Sequence, residues 1–229
     1  MDVPVLCLEL EGVIADTATA RAAALATALD AEGISPTGAI LAAARGHAVE
    51  DAVRRARRAA GAPEDETAVE LGRLRAERAF AARIGKGIAL HPGARATLER
   101  LANHARLALV TRASRRELEF LLSLAGLEAA FRPIIAAEDV MPTKPDRGAW
   151  EAALDRVRQL FPGQRLRGIA VEDHVEGIRG ARAAGLGCIA VGPMPAHEAV
   201  EADAWIDGIA DLTPERVRAL TSATSGDPR

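Results

Sequence analysis

Tyrosine is absent, and four phenylalanines and two tryptophans give an aromatic fraction of only 3 %. The core must therefore be built mainly from aliphatic side chains. There are two cysteines, Cys7 and Cys188, each inside an apolar run that reads as a strand. That scarcity argues against a disulfide framework or a thiolate metal site and fits buried free thiols of a reducing compartment. No stretch approaches the roughly 20 apolar residues that a membrane span needs. The N-terminus lacks a basic segment followed by an apolar run, so no signal peptide is expected and a cytoplasmic location is the default. A net charge of −3 and a pI near 6.0 advertise neither a nucleic-acid nor an anionic-membrane partner. Arg54, Arg55, Arg57 and Arg58 cluster among alanines and acids, which reads as a solvated helix face.

What the chain does have is 229 residues, 49 % of them hydrophobic, enough for a sizeable core and an insertion. VPVLCLEL, residues 3–10, suits a buried parallel strand, and Gly12 just beyond permits a turn. Residues 18–84 are rich in Ala, Arg and Glu and predict helices near 18–32, 37–44, 48–60 and 65–84. From residue 89 strands and helices alternate. Strands are predicted at 107–110, 133–136, 168–171, 187–191 and 204–206, and helices at 93–103, 114–125, 146–160, 175–184 and 214–221. Alternation of this kind implies βαβ units, hence a Rossmann-like, doubly wound parallel sheet. The helical block after the first strand marks an insertion. The expected organisation is a discontinuous α/β core, 1–16 plus 89–229, with a small all-helical cap at 17–88.

In an open parallel sheet, ligands bind beyond the carboxyl ends of the strands. The polar residues there are Glu9 and Glu11 after the first strand, Thr111 and Arg112 after the second, Lys144 after the third, and Glu172, Asp173, His174 and Glu176 after the fourth. Carboxylates from two strand ends can hold one hard cation through oxygen. A hydroxyl at Thr111 and an ammonium at Lys144 suit phosphate oxygens. One of the two first-strand carboxylates can act as nucleophile while the other moves a proton.

This constellation resembles the haloacid dehalogenase superfamily, in its β-phosphoglucomutase and phosphoglycolate-phosphatase branch. ELEGVIADT (9–17), LVTRAS around Thr111, TKPD around Lys144 and EDHVEGIRGARAAG (172–185) match its four motifs, and HPGARATLERL (91–101) is similar to its return from cap to core. The resemblance implies a nucleophile at Glu9, a general acid and base at Glu11, phosphate-binding positions at Thr111 and Lys144 with Arg112 beside them, and Mg²⁺ held by Glu9, Glu11, Glu172 and Asp173. It also implies a cap that closes on hinges at 12–17 and 85–91.

The chain departs from the family pattern in three places. Both first-motif positions hold glutamate where the family has aspartate, moving each carboxylate outward on the order of 1 Å, and misplacement of that size can cost roughly 10²-fold. His174 stands where a small residue is usual and reads as a cap of the next helix, with reach into the site as the alternative. The cap residues Arg21 and Val49 stand near positions where the phosphomutases carry a His and a basic residue, which disfavours mutase activity, and His47 reads as a surface or core residue. The expected function is a Mg²⁺-dependent phosphatase of a small phosphorylated metabolite, monomeric or homodimeric. The alternative is a catalytically inactive relative that binds a phosphometabolite or regulates.

Overall fold

A computed structural model describes residues 2–85, 87–140 and 146–223. Strand β1 (Val3–Leu8) is followed by four helices: α1 (Ala18–Asp30), α2 (Gly38–Ala44), α3 (Val49–Ala59) and α4 (Glu66–Ile84). Then come α5 (Ala94–Ala102), β2 (Arg106–Val110), α6 (Arg115–Ala125), β3 (Ile134–Ile135), α7 (Gly148–Leu160), β4 (Leu166–Glu172) and α8 (Val175–Ala183). β5 (Gly187–Val191), α9 (Ala196–Ala199), β6 (Ala204–Ile206) and α10 (Pro214–Ala223) complete the chain order. Contacts divide the chain into two units, Met1–Asp16 with Ala89–Arg229, and Thr17–Ile88.

In the first unit six strands form one sheet in the order β3-β2-β1-β4-β5-β6, every neighbouring pair parallel. Strand order reverses beside β1, because β2 lies on one side and β4 on the other. β1 can occupy the centre because it is apolar on both faces: Val5, Leu6, Cys7 and Leu8 are all fully buried. With so few aromatic residues, Trp150 on α7 is the largest side chain of a buried cluster that includes Val5, Cys7, Ala108, Ile135 and Ala170. Both cysteines are buried thiols, and burial pushes the Cys188 thiol up to about 12. Helix boundaries follow local chemistry. Ser114 starts α6 by accepting a hydrogen bond from the Glu117 amide, and Gly126, with φ of 60°, stops it in the left-handed region.

The second unit packs α1 along α4 and α3 against α2 and α4. Leu25, Leu29, Ile40, Val53, Ala56 and Val69 form its core. Asp65 caps α4 by accepting from the Ala68 amide. Arg54, Arg55 and Arg58 pair with Glu50, Glu66, Asp51 and Glu64 near the surface. Arg57 corrects the reading of that cluster as a solvated face: its side chain is 6 % exposed, paired with Glu32, and its Nε donates to the Pro63 carbonyl at 2.6 Å. A buried guanidinium needs this full set of acceptors. Arg75 reaches the other Glu32 oxygen at 3.4 Å.

Differences from the sequence reading sit at element ends. The first strand stops at Leu8 rather than Leu10, β3 keeps only two residues, and β4 begins two residues earlier and runs through Glu172. α9 and the single turns at 137–139 and 209–211 were not foreseen, since three or four residues carry no periodicity. Among the described residues no helix is long and apolar enough to cross a membrane.

Candidate active site

The sheet places the chemistry-bearing residues at one end. Leu8 pairs in register with Leu109 on one side and Val171 on the other, so the residues that follow leave β1, β2 and β4 at the same level. That level is the point where strand order reverses, the usual ligand position in open parallel sheets. Glu9 is anchored there by its amide, which donates to the Val171 carbonyl at 3.1 Å, and its side chain is buried. The Thr111 amide donates to the Ile135 carbonyl at 3.0 Å, and its hydroxyl accepts from the Ala113 amide at 3.3 Å.

Beyond Glu9 the backbone coils tightly. Ile14 and Ala15 amides both donate to the Leu10 carbonyl, at 2.9 and 2.8 Å, and the Gly12 amide donates to Ala15 at 3.0 Å. Glu11 and Ala15 form a bridge, and Ala15 bridges onward to Leu90. Glu11 is thereby held half-buried on the coil.

Two glycines explain how acids pack so densely here. A Cβ on Gly12 would come 1.9 Å from Asp173 Oδ2, so the Asp173 carboxylate rests against a bare Cα, at a residue whose φ of +77° also favours glycine. A Cβ on Gly177 would come 2.2 Å from the Glu172 carboxyl carbon. Both glycines stand inside the quoted motifs, but only as turn or helix residues. Their part in seating carboxylates was not read from the sequence, where the fixed offsets from Glu11 and Glu172 are the sole signal.

The result is an excess of buried negative charge. Burial, then the Glu172 and Glu9 carboxylates, push Asp173 up to about 8, while Arg112 pulls the other way. Arg112 is mostly buried and lies 3.6 Å from Glu176 in the first turn of α8. His174 stands at the N-cap of α8 yet makes no side-chain capping bond, which corrects the preference for a cap. Burial first, then Arg112, lowers its affinity for a proton, so it carries an uncharged imidazole at neutral pH. Lys144 lies outside the described residues. His47 belongs to the helical unit, where its Nδ1 is 3.2 Å from Asp51 Oδ2, and Arg21 there lies over the Phe80 ring at 4.2 Å.

These donors are all oxygens, and the site's surplus negative charge suits a hard divalent cation such as Mg²⁺. The fit is one of charge and donor type. Among the described residues no three acidic, histidine or cysteine side chains already close around one point. The Glu9 Oε1 accepts from the adjacent Leu10 amide at 2.8 Å, which turns that oxygen toward its own backbone.

Comparisons with known proteins agree with this architecture. The family described as haloacid dehalogenase-like hydrolase matches residues 8–191. β-Phosphoglucomutase from Clostridium difficile is 18 % identical, with 97 % of this chain and 98 % of that chain covered and a TM-score of 0.82. CbbY from Rhodobacter sphaeroides, solved with phosphate, is 24 % identical over 93 % and 96 %, with a TM-score of 0.75. A predicted phosphoglycolate phosphatase from Haemophilus somnus is 18 % identical over 92 % and 96 %, with a TM-score of 0.75. At these identities the likeness is one of fold. No curated protein matches the chain significantly.

Proposed function

The chain belongs to the haloacid dehalogenase-like hydrolase family, and from that premise we propose that it is a phosphatase of a small phosphorylated metabolite, using Glu9 as a carboxylate nucleophile. The observation that carries the reading is the gathering of Glu9, Thr111, Glu172 and Asp173 at the ends of three adjacent strands where strand order reverses. A Mg²⁺ ion there would be held by Glu9, the Glu11 carbonyl and Asp173 with Glu172 in support, and would supply charge neutralisation on the phosphoryl oxygens.

Glu9 attacks phosphorus in line, forming an acyl phosphate as the ester bond to the leaving oxygen breaks. Glu11 gives that oxygen its proton, then takes one from water, whose oxygen bonds to phosphorus as the bond from phosphorus to the Glu9 oxygen breaks, releasing inorganic phosphate and freeing Glu9. Thr111, Arg112 and Lys144 bind the transferring oxygens. For Glu9 this requires giving up its bond to the Leu10 amide.

That bond favours a second reading. A carboxylate turned back on its own backbone, in a site spaced for a shorter side chain, suits a protein that binds a phosphometabolite without turning it over, or that regulates. Hydrolysis of a phosphomonoester panel with Mg²⁺ decides between the two. Turnover by the natural protein well above Glu9→Gln supports the enzyme. Activity only in Glu9→Asp or Glu9→Asp/Glu11→Asp supports the binding protein.

A further inference from the structure

The loop that carries Thr111 and Arg112 runs beside the shortest strand of the sheet. β3 offers only Ile134 and Ile135, opposite Leu109 and Val110, so the strand pairing ends just where the loop begins. The contact is continued by other means. The Thr111 amide donates to the Ile135 carbonyl and the Ala137 amide to the Ala113 carbonyl, each at 3.0 Å. At the next step a side chain takes the place of a backbone acceptor. Both Glu138 carboxylate oxygens accept from the Arg115 amide, at 2.9 and 3.1 Å.

Asp139 fixes the turn that makes this possible. Its amide donates to the Ala136 carbonyl at 3.1 Å, and its Oδ2 accepts from the Ala136 amide at 2.8 Å, so the turn is closed from both sides. The same Oδ2 is paired with the guanidinium of Arg115, whose amide Glu138 already holds. Oδ1 lies 3.5 Å from Arg156 on α7, and Arg156 also donates to the Ile134 carbonyl at 3.3 Å. Asp139 is mostly buried between these two half-exposed arginines. One carboxylate thus joins the start of α6, the end of β3 and α7.

The loop is gripped at both ends, at Thr111 and at Arg115. Side chains hold a ligand group within a fraction of an ångström only when their neighbours lock them. We propose that Asp139 is a positioning residue that holds residues 111–115 in the conformation presenting Thr111 and Arg112 to a phosphate. This role rests on the reading of that loop as phosphate-binding. The negative charge of Asp139, taken alone, opposes an anion bound beside Arg115, so its service to binding is geometric.

Titration of the full chain with inorganic phosphate in Mg²⁺, followed by NMR of ¹⁵N-labelled protein, tests the role without requiring turnover. In the natural protein the Thr111, Arg112 and Ala113 amides are expected to shift as phosphate binds. Asp139→Ala should weaken binding roughly tenfold to a hundredfold, the scale set by a misplacement of about 1 Å. Charge alone gives the opposite sign, because the variant loses a repelling carboxylate. Asp139→Asn keeps an acceptor for the Ala136 amide without the charge that draws the arginines. It should fall between, and it carries the test if Asp139→Ala does not fold. Val157→Ala, at a fully buried position of α7 away from the turn, is the control for general loss of stability. It should bind phosphate as the natural protein does, at a temperature where melting curves show every variant folded. Unchanged or tighter binding in the Asp139 variants overturns the proposal, as does an equal loss in Val157→Ala or a natural protein whose loop amides do not respond. Phosphate binding is read apart from turnover, so a failure of the enzyme reading and a failure of this role show separately.

Discussion

Asp173→Asn is expected to make the metal-free protein more stable, by an amount that grows with pH. Asp173 has an ordinary value of 3.8 and is pushed up to about 8 by burial and by Glu172 and Glu9. Between those values the folded chain binds a proton that the unfolded chain has released. Stability from this group is therefore full below about pH 4, falls as pH rises, and is lost by about pH 8. The burden is therefore smaller at pH 5 than at pH 7 and greatest at and above about pH 8. Asparagine has the same shape and no charge to bury, so it removes that burden. Urea unfolding in EDTA at pH 5, 7 and 8.5 measures it. Mg²⁺ competes with the proton for the same oxygens, so it should stabilise the natural protein more as pH rises through 8 and leave the variant almost unaffected. An Asn gain of equal size at pH 5 and 8.5, or a loss at both, refutes the account of Asp173 as a buried, charge-strained carboxylate.

Three further outcomes are expected. Gly177→Ala, in the first turn of α8, should lose stability rather than gain the up to about 1 kcal/mol that alanine offers over glycine in a helix, because its Cβ would come 2.2 Å from the Glu172 carboxyl carbon and displace that buried side chain. Thermal melting gives the sign. Arg57→Met leaves Glu32 buried with a weakened set of partners and should cost about 3 kcal/mol or more in denaturant unfolding, whereas Arg57→Met/Glu32→Met should cost clearly less. Trp150→Ala empties the centre of an aliphatic core and should cost about 3–5 kcal/mol, seen as a large fall in the urea midpoint with no change in slope.

The parallel sheet was legible because β1, β2, β4 and β5 are short apolar runs and helices between them carry clear end signals, such as Ser114 and Gly126 on α6. The strand-end rule then picked out Glu9, Thr111, Glu172 and Asp173 without any contact being known. Side-chain direction was not legible. Nothing in ELEG says that Glu9 turns back to Leu10, and Asp173 comes to rest on Gly12 only through packing between segments more than 150 residues apart. Arg57 escaped for the same reason: its neighbours in sequence look solvated, and only the fold brings Glu32 and Pro63 to it.

The bond from the Asp16 amide to the Ala89 carbonyl, 2.9 Å, has a consequence for how the chain comes off the ribosome. β1 is made well before its partners β2 and β4, which begin at Arg106 and Leu166. In between, the helices of 17–88 rely on local contacts and can fold as soon as they emerge. Once they do, the two ends of that excursion meet at Asp16 and Ala89, and most of the loop that β1 must close has already been closed for it. Cutting out 17–88 and joining its ends with a short turn should therefore leave a core that still assembles. Lengthening the insertion should slow assembly little, since folding removes the added residues from the search.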